Sequence, residues 1–281
     1  MTTAFVLSGG ASLGSIQVGM AMALADRGIV PDLIVGTSVG AINGAWLAGG
    51  RSAAGLAEVW RTLRRDDLFP TKPLLGLRAF LGKSSHFVPD THLRATLEVH
   101  LPFGRIEDAT IPFIAVTADA LSGEEVLITE GNAVDAVAAS ASLPAIFPPA
   151  RVVVSGRERL LVDGAVINNT PITTAIEAGA TEVWVLSTGY SCDLVVPPRT
   201  AIAAALHAVS LMVQRRFVLE LEANTYGVPI HLIPPPCPVM VSPIDFSHSG
   251  ELIESAASSA HAWLDAGEPT AQMVPQVRKP D

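Results

Sequence analysis

Short apolar runs broken by small and turn-forming residues dominate the first half of the chain. Ala4 to Leu7 is one such run. Ser8-Gly9-Gly10-Ala11-Ser12 breaks it before a helical pattern opens near Gly14, passes through Val18, Met20, Met22 and Leu24 and stops at Gly28, a residue suited to the left-handed position beyond a helix end. Pro31 to Val35 forms a second buried strand pattern, and Gly36-Thr37-Ser38-Val39-Gly40 turns it into another helix of small residues. Two strand-loop-helix units in succession predict a parallel sheet.

Further strands are expected at 113–118, 125–129, 151–154, 159–162 and 182–187, and helices at 91–99, 132–139, 171–178, 200–222 and 249–265. Thr170-Pro171 is a good helix start, because Thr can cap and Pro tolerates the first turn. A helix over 53–65 carries Trp60 and Leu63 on one side, with Arg61, Arg64 and Arg65 nearby as a solvated basic face. Residues 66–90 show no period, yet they hold Phe69, Leu74, Leu75, Leu77, Phe80, Leu81 and Phe87. Such a stretch is read either as a lid or substrate channel or as a plain cover over the core. There is no internal repeat.

Composition narrows the class. Apolar residues make up 49% of the 281 and charged ones 16%, enough to fold around a core without staples. The formal net charge of -9 argues against a nucleic-acid partner, since phosphate neutralisation leaves a basic domain behind. It also removes polybasic steering toward anionic bilayers, so any transient contact with a membrane surface is expected through an exposed apolar patch. Cys192 and Cys237 form no C-x-x-C, which supports neither a disulfide framework nor a zinc site, and no metal or other cofactor is expected. The start, Met-Thr-Thr-Ala-Phe, lacks the basic region of a signal peptide, and no apolar run approaches the ~20 residues of a membrane span. The expectation is a soluble cytoplasmic protein that meets membranes, if at all, peripherally.

Gly36-x-Ser38-x-Gly40 follows an apolar strand and precedes a helix, the setting of a nucleophile elbow. Its glycines permit the sharp turn that lifts the Ser hydroxyl out of the sheet, and the helix behind points its positive end at the site. The same five residues could also be a structural turn. Acyl transfer further needs donors for an oxyanion, and the backbone N–H groups of Gly9, Gly10 and Ala11 on the neighbouring strand-to-helix loop can supply them. That loop meets neither the dinucleotide pattern G-x-G-x-x-G nor the Lys of a phosphate loop. Asp163-Gly164-Ala165 follows the apolar run Leu160-Leu161-Val162, so its carboxylate sits at a strand end, as a pocket-facing base or as a turn residue.

Four landmarks in order resemble the patatin-like phospholipase family of serine acyl-hydrolases: the Ser8 to Gly14 loop, Gly36 to Gly40, the run Ala139-Ser140-Ala141-Ser142-Leu143-Pro144-Ala145-Ile146-Phe147-Pro148-Pro149, and Asp163-Gly164-Ala165. The resemblance spans about Phe5 to Ser187. It implies a single-domain, three-layer α/β/α fold with a mainly parallel central sheet. Residues 4–190 would be the catalytic core, 191–265 would complete the same domain, and 266–281 would form a flexible tail. It implies a Ser38-Asp163 dyad that cleaves the carboxylic ester of a lipid, whether phospholipid, lysophospholipid or another acyl ester, with no histidine. The glycine loop would hold the oxyanion, Ser140, Ser142, Pro144 and Phe147 would shape the pocket wall, and Asn168 and Asn169 would brace the Asp loop. Two positions depart from the family pattern: Ala11 replaces its third glycine, which restricts positive φ, and Leu13 replaces a basic residue. An Asp near its reference pKa of ~3.9 is a weak base, so such a dyad requires a partly dehydrated site.

Two other readings stay open. A Ser-His-Asp esterase would draw its base from His207, His231, His248 or His261, all of which follow Asp163. A noncatalytic lipid-binding protein would keep the fold without turnover.

Overall fold

The computed structural model describes residues 1–70, 84–189, 201–222, 227–236 and 241–267. Cys192, Cys237, the apolar residues 74–81, the side chain of His207 and residues 268–281 of the expected tail lie outside the described residues.

Eight strands form one sheet: β1 (Thr3–Leu7), β2 (Leu33–Thr37), β3 (Phe113–Asp119), β4 (Glu125–Ile128), β5 (Ala150–Val154), β6 (Arg157–Asp163), β7 (Glu182–Leu186) and β8 (Ile230–Ile233). Their order is β5-β6-β3-β2-β1-β7-β8, with β4 paired to β3. β3, β2, β1, β7 and β8 run parallel, and β4, β5 and β6 join by antiparallel pairing. The helices are α1 (Gly14–Asp26), α2 (Val39–Ala48), α3 (Ala53–Thr62), the single turn α4 (Arg65–Leu68), α5 (Thr91–His100), α6 (Ala133–Ser140), α7 (Ile172–Glu177), α8 (Ala201–Glu222) and α9 (Ser249–Asp265).

Alternation along the central strands explains the layers. Phe5 and Leu7 of β1 join a core with α1, α2, α3, α6 and α9, while Ala4 and Val6 face a second core with Ile172 and Ala175 of α7 and Phe217 of α8. Strands covered on both faces read as continuous apolar runs, which is why β1, β2 and β7 show no polar alternation. The expected three-layer α/β/α arrangement with a mainly parallel sheet is the one found. The helix expected over 53–65 ends at Thr62: Leu63 turns extended, and α4 follows as a separate turn. Ser52 starts α3 by accepting from the Gly55 N–H at 3.1 Å. Among the described residues no helix is long and apolar enough to cross a membrane.

One feature of register places the site. β4 occupies one edge of β3 over Ala115 to Ala118. On the other edge Thr37, the last residue of β2, pairs with Val116, and Asp163, the last residue of β6, pairs with Thr117. Two strands arriving from different directions thus end at adjacent positions of β3. The residue after β2 and the residue that ends β6 meet there.

Candidate active site

Ser38 is that residue after β2. Its backbone has φ 58 and ψ -125, a left-handed conformation that costs a non-glycine residue about 1–3 kcal/mol and persists only where its surroundings impose it. They do so from three sides. Ser140 Oγ accepts the Ser38 N–H at 3.0 Å, and the Ser38 carbonyl accepts from Ala41 and Ile42 in the first turn of α2. The flanking glycines permit the crossing: a Cβ on Gly36 would stand 2.4 Å from the Gly40 carbonyl oxygen, and one on Gly40 would stand 2.1 Å from that of Leu7. A larger residue at either position would push α2 off the sheet.

Asp163 is 1% exposed. Its N–H donates to the Ser142 carbonyl at 3.0 Å, and its Oδ1 accepts the Ala165 N–H at 2.8 Å. Burial raises the carboxyl from the ordinary 3.8 to about 6, opposed in part by hydrogen bonds from the Ser38 hydroxyl and the Ala165 N–H. The result is a carboxyl still ionised near neutrality, more basic than an exposed one and coupled to a serine hydroxyl.

The glycine loop lies against this pair. A Cβ on Gly9 would meet Asn169 Oδ1 at 2.5 Å and Ser38 Cβ at 3.1 Å, so the loop approaches as only glycine allows. The Gly9 N–H, expected as an oxyanion donor, is engaged by the Asn169 carbonyl at 3.2 Å. Gly9 therefore provides close approach, while the N–H groups of Gly10 and Ala11 have no partner among the described residues. Ala11 adopts φ 52 despite its Cβ. Leu13 packs, partly buried, against the core and is not among the residues that line the cavity.

Several residues outside the four landmarks hold the loop. Thr188 Oγ1 donates to the Gly9 carbonyl at 2.6 Å, and its N–H donates to Ser8 Oγ at 3.0 Å. A buried chain of amides runs beneath: Trp60 Nε1 donates to Asn43 Oδ1, Asn43 Nδ2 to Gln17 Oε1, and Gln17 Nε2 to the carbonyls of Ser8 and Leu186, all at 2.7 to 3.0 Å. Asn43 and Gln17 carried one signal in the sequence, polar side chains within otherwise apolar helical runs. Ser12 ties down the 241–248 segment, its Oγ donating to the Ser242 carbonyl and its N–H to that of Pro243.

Ser38, Val39 and Ala11 open onto a cavity of about 100 Å³. Apart from Ser38, Thr96 and His100, every side chain that lines it is apolar, from Ile42 and Trp46 of α2 to Phe69, Phe147 and Phe246. The indole N–H groups of Trp46 and Trp60 donate away from it, to the Ser52 carbonyl and to Asn43. Of the expected wall residues, Phe147 lines the cavity and stacks on Phe69 at 5.3 Å. Ser140 and Ser142 lie buried beneath, bracing the Ser38 and Asp163 backbones, and Pro144 is exposed while its neighbours Ala141 and Leu143 form the rim. Asn168 holds the end of β2 through its carbonyl, which accepts from Thr37 Oγ1 at 2.9 Å.

The candidate histidines with described side chains contact other groups. His231 stacks on Trp184 and approaches Glu182 at 3.1 Å, His248 approaches Glu251 at 3.0 Å, and His261 approaches Asp26 at 3.2 Å. Among the described residues no three His, Cys, Asp or Glu side chains converge as metal ligands.

The model of the patatin-like phospholipase family matches residues 5–176. Patatin-like phospholipase domain-containing protein 7 of Mus musculus is 32% identical over 197 residues, 66% of this chain and 13% of the mouse protein. An uncharacterized NTE family protein of Mycobacterium tuberculosis is 32% identical over 169 residues, 59% of this chain and 27% of that protein. The chain thus spans only a small part of the curated relatives it matches. Among solved structures, VipD from Legionella pneumophila superposes with a TM-score of 0.51 at 15% identity, over 94% of this chain and 67% of that one, a likeness of fold.

Proposed function

We propose that this chain, which belongs to the patatin-like phospholipase family, is a serine hydrolase of lipid acyl esters that uses Ser38 as nucleophile and Asp163 as its base. The observation that carries the reading is that β2 and β6 end at adjacent positions of β3, which sets Ser38, at the edge of an apolar cavity, beside the buried Asp163 carboxyl. In this reading Ser38 Oγ attacks the ester carbonyl as its proton passes to Asp163. The N–H groups of Gly10 and Ala11, with that of Val39 at the positive end of α2, receive the oxyanion. Collapse expels the alcohol, which takes the proton from Asp163 and leaves an acyl-serine. Water then gives a proton to the same carboxylate and attacks the acyl carbonyl. Breakdown of that intermediate releases the fatty acid and returns the proton to Ser38.

An acyl chain suits the cavity and a charged headgroup does not, because the lining offers it almost no polar partner. The headgroup would remain outside, which leaves phospholipid, lysophospholipid and simpler esters sharing one mode of acyl recognition. The test is labelling by a fluorophosphonate probe together with hydrolysis of a p-nitrophenyl acyl ester. Wild type should do both, Ser38→Ala neither, and Asp163→Asn should hydrolyse at least 10³-fold more slowly while keeping its circular dichroism. Full activity in either variant, or a wild type inert to the probe, would refute the assignment.

A further inference from the structure

The cavity beside Ser38 follows one face of α2. Val39, Ile42 and Trp46 line it at successive turns, so it runs from the helix start toward the helix end, about 15 Å away for ten residues. At that far end stands His100, the last residue of α5: its carbonyl accepts from Arg51 at 3.4 Å, and Pro102 lies against Gly49, just past α2. Leu97 and Leu101, on either side of His100 in sequence, also line the cavity.

Four of the cavity's lining residues also line a second hollow, on the outer surface between α3 and α5. Val59, Leu63, Thr96 and His100 belong to both. The outer hollow adds Val99, which is 73% exposed, and Ala95, with Asp67 and His92 among its polar residues. We propose that these four residues frame a rear outlet, through which the end of a long, straight acyl chain leaves the cavity and lies along the groove between α3 and α5.

This rests on the reading of Ser38 as the nucleophile and deepens it to a substrate class: esters of long, unbranched fatty acids, whose length is not capped by the inner cavity. His100 is the specificity-determining residue. Its side chain is half-buried at the outlet, and the contact that anchors its backbone passes through the carbonyl. Thr96 is a poorer lever, because its Oγ1 donates to the Asp67 carbonyl at 3.0 Å and holds α4 in place.

The experiment measures kcat/KM for p-nitrophenyl esters from four to eighteen carbons in wild type, His100→Trp and His100→Ala. Each methylene buried adds about fourfold in binding, so the profile climbs until the chain has nowhere further to go. Wild type and His100→Ala should climb past the length at which His100→Trp levels off, and the ratio of sixteen-carbon to eight-carbon rates should fall at least tenfold in His100→Trp. An unchanged break point and ratio in all three would overturn the outlet. In parallel, free fatty acids of eight to eighteen carbons displace a fluorescent fatty acid from the Ser38→Ala protein with and without His100→Trp. If wild type hydrolyses no ester of any length, the nucleophile reading fails, and displacement alone judges the outlet: a tenfold selective loss for sixteen carbons supports it, and an equal loss at all lengths refutes it.

Discussion

The Ser140 hydroxyl accepts the Ser38 N–H at 3.0 Å and donates to the Val116 carbonyl at 2.7 Å. One side chain therefore anchors the strained turn to the strand beneath it. Ser140→Ala removes that anchor and leaves a buried carbonyl with a partner lost, at a cost of about 1–3 kcal/mol. Because reacting groups shifted by an ångström can lose about 10²-fold in rate, kcat should fall by about ten- to a hundredfold. KM for a short ester should change far less. Equal effects on both, read from steady-state kinetics, would mean Ser140 shapes binding and not the turn.

Strain at Ser38 separates two inactive variants. Ser38→Ala removes the hydroxyl but keeps a Cβ at φ 58, whereas Ser38→Gly also relieves the backbone. We expect the glycine variant to be more stable than the alanine variant by about 1 kcal/mol, as urea midpoints would show at unchanged slope. A less stable glycine variant would contradict the strain.

Activity should fall on the acid side with the ionisation of a buried carboxyl. Asp163 is raised to about 6 by burial, and it must be ionised to accept the Ser38 proton. The acid limb of kcat/KM should therefore centre near pH 6 and not near 4, with tenfold loss per pH unit below it. A plateau that persists down to pH 5 would show that burial does not raise Asp163 in this way, and a plateau that persists below pH 3 would show that the base is another group.

The same burial makes Asp163 a cost to the fold. A carboxyl whose pKa is raised on folding favours the protonated form, so its penalty is complete above pH 6, fades between 6 and 3.8, and is absent below. The difference between about 6 and the ordinary 3.8 corresponds to roughly 3 kcal/mol as an upper figure. Asp163→Asn should therefore raise the melting temperature at pH 8 and lose that advantage by pH 4. A variant less stable at both values would place the main role of the carboxylate in holding the Ala165 turn.

Much of this protein was legible along the chain because the relevant signals are local. Apolar runs marked β1, β2 and β7, since a strand covered on both faces needs apolar residues at every position, and Gly36-x-Ser38-x-Gly40 marked a strained turn, since few residues tolerate one. Other assignments depended on neighbours distant in sequence. Ser140 and Ser142 carry the pattern of a pocket wall, yet their roles follow from Val116 and Asp163 passing beside them. In sequence the N–H of Gly9 is equivalent to those of Gly10 and Ala11, but in the fold the Asn169 carbonyl lies against it.

By itself, then, the amino-acid order determined the succession of strands and helices that makes a parallel sheet and the residue types able to do acyl chemistry, because periodicity and turn geometry act over a few residues, while the layered arrangement was implied by resemblance. Only the tertiary structure decided that Thr37 and Asp163 end at adjacent positions of β3, which N–H groups remain unpartnered among the described residues, and which side chains wall the cavity beside Ser38. Those outcomes are set by strand register and helix packing, which join segments far apart in sequence.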